Sequence, residues 1–492
     1  MGLIEKQATR NTILSYLGAI LGAITVLWSS YLFTPSENGV TRILLSYSIL
    51  FAQFANLGFT SITNRFFPYF RNKEKGHHGF LWYGLIVSGI GFIICCLAFI
   101  FLYPYIIEKN QIKSPLFVTY IAYIIPLFLF IIFYNLFDAY LRASFNSVIG
   151  TFAKDVIQRI VILGCLFLYF LNIINFQIFI LLYVLATALP TFILLYQIIR
   201  QGEWHIKRTK GFLTNELRND IIKLGLLSIL AGGASAIVAN IDTIMVNGLL
   251  GERSAGIYGI SFYFGTIILI PARSIYRITS NVIAENFKHN QLEHIHKLYN
   301  QSCNGQLAIG LFLFIGIYTN IDNIMQFLPP EYAGGRSVIL ILSFAYLIEM
   351  ATGINQIILI NSENYRFDLF VVILIVAATL LGNYILIPIY GIIGSALATT
   401  ISFIVGNGLR YFVLFYKYNM QPYDTNTVKL LLIAAITFLP AYLLPSMPNV
   451  YLDILARGSM VTLLFTALIL KTDATPDLNQ KIRKNLLILR KK

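Results

Sequence analysis

Apolar runs of about 20 residues, the length a helix needs to cross a hydrocarbon core of about 30 Å, recur along the whole chain. A membrane barrel would instead read as alternating strands of about ten residues. The runs predict spans at 11–33, 41–64, 80–106, 115–140, 150–171 and 174–199. A second set follows at 221–247, 254–280, 302–321, 335–360, 367–388 and 391–415, with two more at 428–446 and 451–470. The expected fold class is therefore all-α integral membrane, with about fourteen transmembrane helices.

Polar breaks give these spans a direction. About 30 of the 36 Lys and Arg residues fall on one side, leaving Arg42, Lys109, Lys113, Arg253, Arg336 and Arg457 on the other. Such asymmetry marks the basic side as cytoplasmic, with both termini inside. The longest break, RQGEWHIKRTKGFLTNELRND, separates two sets of six spans. Across it FTPSENGVTRILLSYS (33–48) aligns with LGERSAGIYGISFYF (250–264), placing Gly39 against Gly256 at an offset of 217. The triplet LAT at 185–187 recurs at 397–399, an offset of 212. Near-constant offsets predict a duplicated six-helix unit in parallel orientation. The expected organisation is an N-terminal six-helix lobe (1–200), a cytoplasmic linker (201–220), a C-terminal six-helix lobe (221–416), two additional helices (417–471) and a basic tail (472–492). Residues 281–300 and the tail mix apolar and basic positions, as amphipathic helices lying on an anionic leaflet do.

Composition narrows the class further. AVILMFWYC residues make up 57% of the chain and charged residues 12%, about half the usual soluble share, so most of the surface does not face water. The net charge of +14 is spread over loops, which fits membrane topology and not a nucleic-acid patch. Cys95, Cys96, Cys165 and Cys303 all lie in apolar runs and imply no disulfide framework. The first apolar run is too long for a cleavable signal and lacks a small-residue cleavage site, so the first span is expected to stay.

The six histidines (77, 78, 205, 289, 294 and 296) fall in polar breaks and read as solvated; no acidic or Cys cluster completes a metal site around His294 and His296. No Walker-type glycine loop is present, and the short outer loops carry no paired carboxylates. The expectation is a transporter without a cofactor, not a membrane glycosyltransferase or polymerase.

Charges inside spans carry the chemical information, because each costs a few kcal/mol and normally faces an interior cavity. Glu349 lies near mid-depth of its span, followed by Asn355 and Gln356; a cavity role and a buried pair both fit it. Asp242 and Asn240 lie towards the outer end of span seven. Arg273 and Arg277 stand four apart after Pro271, a residue that can kink the helix and free a carbonyl. Asp138 and Arg142 have the same spacing and can neutralise each other, while Arg159 lies about two turns into span five. Arg142, Arg273 and Arg277 are close enough to the cytoplasmic ends to snorkel, and Arg42 can anchor the outer leaflet.

The layout of six, six and two helices, the hairpin LWSSYLFTPSENGVTRILLSYSILFAQFANLGF, and LLGNYILIPIYGIIGSALATTISFIVGNGLRYF (380–412) complete the pattern. In these features the chain resembles the oligosaccharide flippases of the multidrug/oligosaccharidyl-lipid/polysaccharide exporter superfamily. The resemblance implies a V-shaped pair of lobes in the cytoplasmic (inner) membrane. It implies movement of a polyprenyl-pyrophosphate-linked oligosaccharide to the outer leaflet, for O-antigen (lipopolysaccharide), capsule or exopolysaccharide assembly. Arg142, Arg159, Arg273 and Arg277 would receive the diphosphate, and Glu349 and Asp242, with Asn240 and Arg42 as further contacts, would meet sugar hydroxyls or a coupling ion, H+ or Na+. Partners would be the lipid-linked sugar, membrane lipids and other polysaccharide-assembly proteins, with no nucleic acid and no metal. A lipid II flippase and a drug/cation antiporter are the alternatives. Residues 11–33 contain no Asp or Glu, a departure from the acidic first span of many such antiporters.

Overall fold

The computed structural model describes residues 3–207, 212–476 and 479–480; the side chains of residues 3–9, 12, 273, 274, 277, 278 and 281 lie outside that description. Every regular element among the described residues is a helix, and the chain separates into two compact units, 1–259 and 260–492. Among the described residues twelve helices are long and apolar enough to cross a membrane, or up to thirteen when a bent pair counts as one span.

Unit one holds α1 (Leu3–Leu32), α2 (Pro35–Ala55), α3 (Phe59–Phe70), α4 (Phe80–Asn110), α5 (Pro115–Tyr120) and α6 (Ile124–Ala143). It continues with α7 (Val148–Thr151), α8 (Gln158–Phe170), α9 (Phe176–Arg200), α10 (Asn215–Leu250) and the start of α11 (Glu252–Thr266). The expected span 41–64 is the bent pair, α2 and α3, which meet at 41°. Gly58 makes the bend possible. Its φ is +74°, a region open to glycine, and an added Cβ would crowd the Gly225 carbonyl of α10. Farther along, Gly232 and Gly233 of α10 receive Gln53 and Phe54 of α2, small residues that let two helices approach where no water drives them together. The expected fifth span is a continuous helical run from α7 through a π-turn at Phe152–Ile157 into α8. Lys154, Asp155 and Arg159 in its first half keep it out of the apolar count.

An aromatic core of Phe59, Phe67, Phe70, Phe80 and Tyr140 closes the end of unit one nearest the basic loops. His77 departs from the solvated reading: it is 2% exposed, with Nε2 2.5 Å from Glu203 Oε2. Its Nδ1 accepts the Asn72 N–H at 3.1 Å, so the proton sits on Nε2 and is donated to the carboxylate. Glu203 also meets Lys73 at 3.3 Å, and His78 stacks on Phe212 at 3.8 Å. These contacts fasten the segment after α9 to the loop before α4.

Unit two holds α12 (Ile270–Lys288), α13 (Leu292–Thr319), α14 (Ile321–Gln326), α15 (Arg336–Ala351), α16 (Asn355–Asn361), α17 (Tyr365–Tyr390), α18 (Ile392–Tyr418), α19 (Thr425–Leu443) and α20 (Val450–Thr472). Residues 281–300 are not a separate surface helix. They end α12 and begin α13, and Ile283, Ile295 and Tyr299 are fully buried against Cys303, Ile354 and Leu414. The amphipathic stripe covers protein, not lipid. Pro271 stands at the start of α12, directly after a 3-10 turn at Ile267–Leu269. The tail residues 481–492 lie outside the described residues.

Two cations that the sequence places only by membrane side are buried. Arg410 pairs with Asp368 at 2.8 Å, both side chains at most 6% exposed. Arg457 pairs with Asp453 at 2.7 Å and donates to the Ala441 and Leu444 carbonyls, covering the open end of α19. Desolvating such ions costs several kcal/mol each, and the pairing offsets that cost.

Candidate functional site

In unit one the charges gather where the π-turn meets α1 and α6. A π-turn adds a residue to the helical repeat and re-aims its side chains. Here Asp155 packs on Gly18 of α1, where a Cβ would lie 2.7 Å from the Asp155 Cβ, and Arg159 donates to the Gly18 carbonyl. Lys154 is exposed and stands 4.7 Å from the ring centre of Tyr134, whose hydroxyl donates to the Gly150 carbonyl at 3.2 Å. Arg142 pairs with Asp138 at 3.3 Å while remaining 45% exposed. Asp138 in turn occupies the space a Cβ at Gly150 would take. Gln158 donates to Thr187 of α9 at 3.3 Å.

The cluster thus contains three cations, Arg142, Lys154 and Arg159, against two carboxylates, Asp138 and Asp155, on membrane-depth helices. Arg142 and Arg159 both lie within electrostatic reach of Lys154. The mutual neutralisation of Asp138 and Arg142 is seen, yet the set keeps a net positive charge. Lys154 and Asp155 were not singled out from sequence. The signal was the run Gly150–Arg159, whose charges recur at helical spacing opposite Asp138 and Arg142.

In unit two the expected span 335–360 is broken. α15 ends at Ala351, Gly353 takes φ +62°, and α16 starts at Asn355. A Cβ at Gly353 would lie 2.6 Å from Cys303 Sγ, so the break is a close approach between helices. Glu349 sits one turn before it, half-buried. Asn407 of α18 donates to Glu349 Oε2 at 2.6 Å, and Asn355 donates to Asn407 Oδ1 at 3.0 Å. Asn355 Oδ1 accepts the Gln356 N–H at 2.5 Å. Asn355 and Asn407 are 2% and 1% exposed, so the carboxylate is held by a buried polar chain. Asn407 was not anticipated.

The other candidates stand on α2, α10 and α12. Asp242, 3% exposed on α10, accepts from the Tyr258 hydroxyl at 2.8 Å. Asn240 donates to the Ala236 carbonyl of its own helix at 2.9 Å. Arg42 of α2 lays its aliphatic stem over Gly259, where a Cβ would lie 3.0 Å from Arg42 Cγ. Arg273 and Arg277 are on α12, four apart, with side chains outside the described residues.

No protein-family model matches the chain, and no curated protein matches its sequence. Solved structures do. Lipid II flippase MurJ, in an inward closed conformation, matches with a TM-score of 0.73 at 14% identity over 94% of this chain and 99% of that one. An inward-facing multidrug resistance MATE family transporter of the MOP superfamily matches with a TM-score of 0.64 at 14% identity, covering 84% and 98%. A MOP superfamily transporter from Pyrococcus furiosus matches with a TM-score of 0.58 at 17% identity, covering 85% and 95%. A likeness at these identities is one of fold, and the chain has the multi-pass, all-helical membrane fold of MOP-type transporters.

Proposed function

We propose that this chain is a flippase that carries a polyprenyl-pyrophosphate-linked oligosaccharide from the cytoplasmic to the outer leaflet of the inner membrane. Movement is by alternating access of two six-helix lobes, 1–200 and 221–416, with both termini cytoplasmic. The observation that carries the reading is the excess of cations over carboxylates around the π-turn of unit one. A diphosphate is the ligand such a set suits, because guanidinium groups bind its oxygens in pairs and an ammonium adds a compact charge.

In this mechanism Arg142, Arg159, Arg273 and Arg277 receive the head group from the basic side. Charge-assisted hydrogen bonds to phosphate offset its loss of water as it enters the membrane. Glu349, Asp242 and Asn240 meet sugar hydroxyls or a coupling ion, H+ or Na+, and Arg42 contacts the head group near the outer side. The polyprenyl chain stays in lipid, where it loses nothing by moving.

Lipid II flipping is the second reading, favoured by the similarity to MurJ over 94% of the chain. Both readings move a polyprenyl diphosphate and differ in the sugar. The test in cells uses a host whose surface glycan depends on this chain. Alanine at both Arg273 and Arg277 is expected to abolish the glycan while membrane insertion stays normal. Normal glycan in that double variant overturns the assignment.

A further inference from the structure

Unit one contains a cavity of about 480 Å³ between the start of α1, the α6–α7 turn and the last turns of α9. Arg10, Asn146 and Gln197 line it together with Ile13, Ile149 and Phe152. Arg10 stands one turn before Ile13, where the apolar stretch of α1 begins. Gln197 stands one turn before α9 ends at Arg200. The cavity therefore lies where apolar helix gives way to polar ends, the depth of a bilayer's head groups.

Local contacts hold its polar wall in place. Asn11 donates to Ser147 Oγ at 2.9 Å, which ties α1 to the α6–α7 turn. In that turn Phe145 takes φ +62°, and the Arg71 guanidinium stands 4.3 Å from its ring centre. Arg71 also donates to the Ala143 carbonyl at 2.6 Å, and the Asn146 N–H donates to the Leu141 carbonyl at 2.8 Å. The side chains facing the cavity have no such partners. Among the described residues, neither the Asn146 and Gln197 amides nor the Arg10 guanidinium donates to a protein acceptor. No Asp or Glu among those residues lines the cavity either. Three unused donors, one of them a cation, suit an anion with several oxygens. The apolar wall continues past the cavity. Ile13, Leu17, Ile20 and Ile24 follow one face of α1 at helical spacing, and all four are exposed.

We propose that this cavity binds one anionic glycerophospholipid, its phosphodiester on Arg10, Asn146 and Gln197 and an acyl chain along the Ile13 stripe. A guanidinium takes two phosphate oxygens, and the amides supply donors for the ester and glycerol oxygens. A zwitterionic lipid fits less well, because its ammonium brings positive charge to a site that holds a cation and no carboxylate. A diphosphate carries more charge than one guanidinium balances, and the three cations around the π-turn suit it better. A free phosphate leaves the apolar wall uncovered. The site is independent of what the chain transports.

The test is native mass spectrometry of the full-length chain in detergent, titrated with phosphatidylglycerol or with phosphatidylcholine of the same acyl chains. One phosphatidylglycerol should bind about fivefold more tightly than phosphatidylcholine. Arg10→Gln should abolish that preference. Asn146→Ala with Gln197→Ala should weaken binding severalfold at normal size-exclusion behaviour, since neither amide holds another residue. Ile149→Trp fills the cavity and should lower binding of both lipids. Arg366→Gln, which removes an exposed cation from unit two, should bind like the parent. Parent-like phosphatidylglycerol binding in both Arg10→Gln and the double-amide variant overturns the site, and so does equal affinity of the parent for the two lipids. Competitors separate the sources of the phosphate. Displacement of phosphatidylglycerol by inorganic phosphate makes this a free-anion site. Displacement by a polyprenyl diphosphate at about tenfold lower concentration makes it an entrance for transported lipid. Either result overturns the phospholipid assignment.

Discussion

At the scale of single residues, hydropathy located the charges but not their company. Asp138 and Arg142 are four apart on one helix, so their pairing was legible. Asp368 and Arg410 are 42 positions apart, so nothing local announces a buried pair. His77 was misread for the same reason, since Glu203 reaches it from 126 positions away. Asp424 gives a prediction at this scale. Burial pushes its carboxyl up, but the N–H groups of Thr427 and Asn426 and the amides of Asn304 and Asn300 more than offset that and hold it below the usual value. A carboxyl lowered on folding contributes stability above the unfolded value near pH ~4 and loses it as pH falls through the folded value. Asp424 caps α19. Asp424→Ala should therefore cost about 1 kcal/mol at pH 7. The gap to the parent, followed by thermal unfolding in detergent, should close below the ordinary carboxylate range. A gap that persists there contradicts this account.

At the scale of elements, the spans were legible because about 20 apolar residues in a row have few other physical explanations. Their interruptions were not. The bend at Gly58 and the break at Gly353 both sit inside apolar runs, and each is decided by a distant neighbour, Gly225 in one case and Cys303 in the other. The 281–300 stripe was legible as amphipathic, but the same stripe serves lipid or protein, and here it faces Cys303 and Leu414. The π-turn carries the element-scale prediction. Gly150 makes room for Asp138, so Gly150→Val should displace the carboxylate, disturb the Asp138–Arg142 pair and reduce transport about tenfold or more, at normal expression. Gly164→Val, on the same helical run but facing open space, should transport like the parent. Equal activity of the two variants removes the π-turn from the mechanism.

At the scale of the whole molecule, the sequence pattern and the fold agree on a multi-pass helical membrane protein, and the structural likeness extends over 94% of the chain. The candidate site was legible in part. Arg142 and Arg159 were found because a charge inside a span is costly and therefore conspicuous. Lys154 counts in the sequence only toward the basic side, and Asn407 is uncharged, so neither stands out until helices from distant parts of the sequence are brought together. The central claim, that the unit-one cations receive a lipid-linked diphosphate for transfer between leaflets, is tested most directly in proteoliposomes. The measurement is the rate at which a polyprenyl-diphosphate-linked saccharide changes leaflet, with and without an ion gradient. The parent chain should move it, and Arg142→Gln with Arg159→Gln should slow the movement at least about tenfold while reconstituting normally. No movement by the parent under any gradient, or an undiminished rate in the double variant, contradicts the account.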